Sequence, residues 1–548
     1  MSSRFYSLAA CVGLAVLLAS TSACGQDTAS TRPGVFLGLT YGAGAAPRII
    51  VLPVDTTAGD SIRTIIQRDL DYSDRVSPIP LDPATLAGIA PAPGQEPNYD
   101  LFAKLGAAAI VQARRSGNGL RVVLYNVAGK RRVNARDFAI VTVPPVRDAA
   151  VRDSIVAETT VREKAVKDSI GRVLQTRAGI MRRPPLKRDT RPRRFVVRDS
   201  LRRDSAAAAY VRRGLSRWDE DRRDSVALAT NTVVTRIVRA DSAARIAAAD
   251  NERMSIHHVS DEVESWITGK RGIASTRIAY VHNGLIRVVD SDGENDKAVT
   301  RRGFSMSPAW HPSGRRIVYS RMSDVGTQIE QLDLETGNVK SASATGLNIT
   351  PVYSNDGRNI VYSHGDESGT DLVMASAAGD GGSEPQRLTF GRGSDNNSPS
   401  FSPDGRQLAF ISGRSGGPQV YIMEADGTDM QLLTGYDVAL ASYRSSPDWS
   451  PDGRFIAYQQ RAGGFQVWMI SLADRVPKQL TTDGENEDPS WAPDARHLVL
   501  TSTRGGDKQL WVLDTESGRF RQLTHSSGAR LAAWSPLLVR RANTLATP

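Results

Sequence analysis

Residues 446–458 read "SPDWSPDGRFIAY", and residues 398–410 repeat the phrase as "SPSFSPDGRQLAF". Three further copies, "SPAWHPSGRRIVYS" from 307, "TPVYSNDGRNIVYS" from 350 and "DPSWAPDARHLVLTS" from 488, complete a series whose first prolines stand at 308, 351, 399, 447 and 489. Spacings of 42 to 48 residues match the length of a propeller blade, a four-stranded sheet that buries its faces only against its neighbours. The phrase itself is a hairpin. An inner strand carrying Trp310, Tyr353, Phe401, Trp449 or Trp491 runs into a Pro-Asp-Gly type of turn and then a second strand of β-branched and aromatic residues. A third strand follows, as in "QVYIMEADG" at 419–427, and a fourth, as in "QRLTF", "QLLTG", "KQLTTDG" and "RQLTH".

The phase of the repeats predicts how the ring shuts. The array opens at 277–281 with "RIAYV", a second-strand phrase, and ends at 532–536 with "AAWSP", an inner-strand phrase. Six second strands therefore meet six inner strands, and the last inner strand is expected to complete the blade begun at 277. Such closure hides the edges that an open sheet exposes. The expected fold is α+β multidomain: a six-bladed β-propeller preceded by a small α/β domain carrying a charged insertion.

Upstream, "RIIVLPV" from 48 reads as a buried strand, "DSIRTIIQRDLDYS" from 60 as a helix, "NYDLFAKLGAAAIVQA" from 98 as helix then strand, and "GLRVVLYNVAGKRRVNARDFAIV" from 119 as a hairpin. From 143 to 250 the text changes to recurrent "VRDS", "VKDS" and "RRDS" with few large apolar residues. That composition argues against a core of its own. The expected layout is an export signal at 1–24, a flexible mature N-terminus at 25–47, the small domain at 48–142, a basic helical or disordered insertion at 143–250, the last helix of the small domain at 251–270, the propeller at 271–540 and a tail at 541–548.

The chain has 548 residues and a net charge of +10. Residues 144–250 hold 25 Lys and Arg against 14 Asp and Glu, leaving 44 against 45 elsewhere. The positive potential thus belongs to one segment, in which no aromatics interleave with the Arg except Phe195, Tyr210 and Trp218, and not to a folded groove with stacking aromatics, which excludes a nucleic-acid groove as the reading. That segment reads either as a solvated insertion or as a basic arm touching an anionic envelope polymer or lipid.

At the N-terminus Arg4, an apolar run and "STSAC" ending at Cys24 form an export signal. Cys24 is either a lipid-accepting first residue, with Thr21 where such boxes usually have Leu, or an unmodified residue beside a simple cleavage site. Cys11 leaves with the signal, so the mature chain has at most one cysteine and no internal disulfide.

Candidate chemistry is thin. "GRSGG" at 413–417 satisfies G-x-S-x-G, but Ser415 falls between two strands of one blade rather than on a strand-to-helix elbow. His257 and His258 with Asp261 and Glu262 have a metal-compatible helical spacing, yet one pair completes no shell, and a polar outer face of a docking helix is expected there. The recurrent Asp356, Asp404, Asp452 and Asp494 suit turn capping better than calcium. No phosphate loop, dinucleotide fingerprint or cysteine-based zinc spacing appears, so no catalytic residue, metal or cofactor is expected.

Taken together, the export signal, the small α/β domain, the junction "TGKRGIASTRIAYV" at 268–281, the repeats and the closing "AAWSP" resemble the TolB-like β-propeller family of the Tol–Pal system. The resemblance implies a non-enzymatic periplasmic adaptor that supports outer-membrane integrity and constriction in division. It implies a Pal-like outer-membrane lipoprotein as partner of the propeller, and TolA as partner of the mature N-terminus. Contacts with the lipoprotein map onto a funnel rim just before each inner strand: Met306, Ser307, Leu347, Thr350, Asn397 and Ser398, extended to Ser446, Asp488 and Arg530. Lipidation at Cys24 would tether the end that meets TolA, and the basic insertion departs from the family layout.

Overall fold

The computed structural model describes residues 46–140 and 247–538, apart from short loop segments, together with scattered helical residues between 164 and 213. Cys24, nearly all of the mature N-terminus and most of the 143–250 segment lie outside the described residues.

The small domain is a five-stranded sheet in the order β2-β1-β3-β4-β5, with β1 at Arg48–Val51, β2 at Ser77–Pro78, β3 at Ala109–Ser116, β4 at Gly119–Asn126 and β5 at Arg131–Ala139. β1 runs parallel to β2 and β3, and β3 to β5 form an antiparallel meander. Because side chains alternate along a strand, β1 and β3 feed two cores. Ile49, Val51, Ala109 and Val111 pack on Ile62, Ile66 and Leu70 of α1 (Ser61–Tyr72) and on Ile256, Val259, Val263 and Ile267 of α4 (247–268). Ile50, Leu52 and Ile110 face the other way, against Leu86 of α2 (Pro83–Ile89) and Tyr99 and Phe102 of α3 (Tyr99–Lys104). The sheet is covered on both faces, as its continuous apolar runs require. β2 and α2 are additions to the sequence reading. α2 was nevertheless signalled, because Asp82 accepts from the Thr85 N–H at 2.9 Å and Pro83 opens the helix.

The expected polar outer face at 257–262 is a correction. His257 and Asp261 are fully buried: His257 Nδ1 meets Asp69 Oδ2 at 2.8 Å, and Asp261 accepts the Ala274 and Ser275 N–H groups at 2.6 and 3.0 Å. α4 is wedged between the small domain and the propeller, so two of its faces are inward. His258 is half-buried, edge-on to Phe138 and 3.3 Å from Arg271, and Glu262 takes a bond from Arg136 at 3.1 Å.

The propeller has six four-stranded sheets. Five are continuous in sequence, and the sixth joins Arg530–Trp534 to Arg277–His282, Leu285–Asp290 and Lys297–Ala298. Its register is Arg530 opposite Val281, Ala533 opposite Ala279 and Trp534 opposite Ile278. Trp534 donates its indole N–H to Thr276 Oγ1 at 2.8 Å, and Ser535 N–H reaches the Arg277 carbonyl at 2.8 Å. Six apolar clusters fill the six gaps between blades. Trp310, Tyr353, Trp449, Trp491 and Trp534 each insert between their own blade and the one before it.

At the other end of each hairpin the turn carboxylates cap backbone. Asp404 accepts from Ser402 Oγ at 2.6 Å and Arg406 N–H at 3.1 Å, and Asp356 and Asp452 do the same in their own turns.

Trp534→Ala is expected to cost about 3–5 kcal/mol, since it empties the gap that the closing strand fills. Urea denaturation of the mature protein checks this. A shift of the midpoint no larger than that of an exposed substitution such as Val339→Ala would contradict it.

Candidate partner-binding rim and channel

The inner strands Phe304–Trp310, Leu347–Tyr353, Asn397–Phe401, Arg444–Trp449, Asn486–Trp491 and Arg530–Trp534 carry the predicted positions. All six pairings slip at the same point. Met306 faces Ser320 and Ala309 faces Val318, so Ser307 and Pro308 stand together opposite Tyr319. The same two-against-one bulge sets 350–351 against Tyr362, 398–399 against Phe410, 446–447 against Tyr458, 488–489 against Leu500 and 531–532 against Tyr280. The residue opposite each bulge is large and buried, and proline is tolerated in five of the bulges because its position is left out of the ladder, where its missing N–H is not needed.

The residue before each proline takes up the kink with a left-handed backbone: φ is 49° at Ser307, 50° at Thr350, 53° at Ser398, 49° at Ser446 and 51° at Asp488. The sixth is Leu531 at 53°, in front of Ala532. Backbone of this kind costs an L-residue energy and persists only where its surroundings over-determine it.

The rim positions therefore need one correction. They do not precede the inner strands but lie in them, because the bulge rather than a loop turns them. Ser307, Thr350, Ser398, Ser446 and Asp488 are the bulge residues themselves. Met306 and Asn397 stand one place earlier, and Leu347 opens its strand and is exposed. In the sixth blade the equivalent bulge residue is Leu531, with Arg530 one place before it and exposed. The signal that sequence reasoning missed is the fourth residue of each second strand, the buried Tyr, Phe or Leu over which the bulge arches.

Hydrogen bonds run around the ring between these strands. Ser398 N–H donates to Thr350 Oγ1 at 3.2 Å, and Ser446 Oγ donates to Asp488 Oδ1 at 3.1 Å. One layer further in, Trp449 N–H donates to Ser400 Oγ at 3.1 Å, Trp491 N–H to Asp448 Oδ2 at 2.7 Å and Trp534 N–H to Ser490 Oγ at 3.1 Å. The other three inner strands have Ala309, Val352 and Ala533 at that layer, with no side-chain acceptor to offer. Half of the inner wall is thus polar and half apolar. Burial pushes the carboxyls of Asp448 and Asp488 up to about 6 against the hydrogen bonds they accept. At the end where the strands begin, exposed Phe304, Met322 and Leu347 lie on the apolar side, with Met322 paired to Phe304.

Ser415 sits in an exposed turn joining Gln407–Ser412 to Gln419–Glu424, with no helix after it. The rim combines a rigid backbone with side chains that differ from blade to blade, and among the described rim residues no nucleophile stands beside a base.

The family description "TolB beta propeller domain" matches residues 265–538, half of the chain. The chain belongs to this family. Among curated TolB proteins, the "Tol-Pal system protein TolB" of Legionella pneumophila (strain Corby) is 39% identical over 98 residues, 16% of this chain and 23% of that protein. The protein of the same description from Anaplasma marginale is 40% identical over 97 residues, 16% of this chain and 22% of its own length. The chain thus spans less than a quarter of the length of the curated relatives it matches. The crystal structure of TolB from Acinetobacter baumannii superposes with a TM-score of 0.61 at 20% identity, covering 90% of this chain and 97% of the other, which establishes a shared TolB-like fold.

Thr350→Val keeps the shape but removes the acceptor of the Ser398 N–H and the partner of Ser363 Oγ, 2.8 Å away. The expected loss is about 1–2 kcal/mol in chemical denaturation, with Thr350→Ser recovering most of it. A Val variant as stable as the wild type would show that the circumferential bonds contribute nothing.

Proposed function

We propose that the chain is a non-enzymatic adaptor of a Tol–Pal envelope system in the periplasm, binding a Pal-like peptidoglycan-associated lipoprotein through the propeller rim. The observation that carries this reading is the ring of six strained bulges, which holds Met306, Ser307, Leu347, Thr350, Asn397, Ser398, Ser446, Asp488 and Arg530 on one rigid mouth. A pre-formed mouth of this kind loses little entropy on association, and its side chains differ from blade to blade as a specific contact requires. Membership of the TolB family supports the same partner. On this reading the mature N-terminus is the contact for TolA, Cys24 is the point of any lipid anchor to the outer membrane, 143–250 is an insertion in the small domain, and the adaptor supports outer-membrane integrity and constriction in division.

A second reading rests on the local charge of 144–250, 25 Lys and Arg against 14 Asp and Glu. The segment is then an arm for an anionic envelope polymer or lipid, and deleting it abolishes salt-sensitive sedimentation with peptidoglycan or anionic vesicles.

The adaptor reading is tested by titrating the mature protein with the soluble domain of the Pal-like lipoprotein of the same organism. Leu347→Asp and Ser446→Arg are expected to weaken binding about tenfold or more, a loss of ~1.4 kcal/mol or above, while Val339→Ser on an outer edge strand leaves it unchanged. Failure of the folded wild-type protein to bind would overturn the proposal.

A further inference from the structure

The seam between the small domain and the propeller is built from ionisable groups rather than from an apolar core. Arg75, in the turn after α1, donates to Glu264 of α4 at 3.0 Å and to Asp494 of the propeller at 3.1 Å. Arg519 reaches Asp71 and Asp74 at 3.0 and 2.7 Å, Arg68 pairs with Asp292, and the Arg521 guanidinium lies 4.1 Å from the centre of the Tyr72 ring.

Two buried histidines sit inside this network. His497 places Nδ1 2.7 Å from Asp494 Oδ2 on its own turn and Nε2 3.3 Å from Asp74 Oδ2 of the small domain. A carboxylate only accepts, so two such partners need two N–H donors. Neutral imidazole has one, and its other nitrogen would turn a lone pair on an oxygen. The geometry therefore belongs to imidazolium. His257 repeats the arrangement more loosely, with Nδ1 on Asp69 and Nε2 3.9 Å from both Asp290 and Asp292 of the propeller.

We propose that His497, seconded by His257, is a proton-dependent clasp between the two domains: charged, it cross-links Asp494 to Asp74, and on losing its proton it releases the α1 end of the small domain from the propeller. Every neighbour bears on that proton. Around His497 these are Asp494, Asp74 and Asp514, with Arg75, Arg496 and Arg519 drawing on the same carboxylates and Glu264 and Glu516 behind them. Around His257 they are Asp69, Asp290 and Asp292, with Arg68, Arg253 and Arg277 on the latter two and Asp261 beyond Asp69. Burial disfavours the charged form of both rings, and the carboxylates outweigh it, raising His257 above its ordinary value and His497 to about 8. A raised histidine contributes stability that is complete below its unfolded value of ~6.5 and is lost as pH climbs through about 8. Glu264, pushed up to about 8 by burial, loses its own proton in the same range and is the competing source of any pH effect.

Hydrogen exchange of the full mature protein, corrected for the intrinsic rate, tests the clasp between about pH 6.5 and about pH 9.5. Protection of 69–76 is expected to fall about tenfold or more at the higher pH, while the propeller strand Gln407–Ser412 keeps its protection. In His497→Gln the same segment is already weakly protected at the lower pH and stays flat. Asp74→Asn, which leaves the Asp494 contact within the propeller intact, gives the same flattening and serves if the first variant does not fold. A pH-independent wild type, or an unchanged pH dependence in these variants, would overturn the proposal and in the latter case assign the effect to Glu264.

Discussion

One ladder of hydrogen bonds decides whether this molecule is a ring. Residues 530–534 pair with 277–282 across some 250 positions of sequence, and without that pairing the blade they share loses its inner strand and each segment presents a raw edge. Every other blade is stabilised by the next one, through an aromatic residue lodged in the shared gap. Closure therefore converts a row of marginal sheets into one body, and only a closed body can hold six bulges on a common mouth.

The bulge is the smaller device on which the mouth depends. Proline removes a donor that the ladder no longer needs, and the residue before it accepts a left-handed backbone so that the chain clears a buried Tyr, Phe or Leu on the second strand. The strain is shared out by bonds that pass from blade to blade. Where Ser400, Asp448 and Ser490 supply acceptors the wall is polar, and where Ala309, Val352 and Ala533 replace them it is apolar. A single inherited phrase thus makes six like backbones and an unlike pair of walls.

The propeller was legible in the sequence because its elements are repeated, and five copies of a hairpin phrase fix both the blade count and the phase of closure. The small domain was legible where periodicity is strong, as in α1 and the β4–β5 hairpin. The two-residue β2 and the short α2 were not read, since neither is long enough to show a period, although Asp82-Pro83 marks the second. The inner strands were read as beginning after the rim residues because pattern reading sees proline as a boundary, whereas here it sits inside a strand. Least legible of all was the seam. His257 and Asp261 look like a polar face until two domains close over them, and Gly272 shows how tightly they do so: a Cβ there would stand 2.5 Å from Glu264 Oε2 and 2.6 Å from Asp261 Oδ1. Contacts between residues 69–75 and 490–521 have no local signature in any window of sequence.

The position of that junction sets a path for force. α4 leads through Gly272 directly into Arg277, the first residue of the strand that the chain's last strand holds shut. A pull on the small domain that outlasts the ionic seam therefore arrives at the closure, where antiparallel strands lie side by side and a load along their length is shared by several bonds at once instead of opening them singly. The weakest covalent point of the ring, its break in sequence, is also the point at which the rest of the protein takes hold.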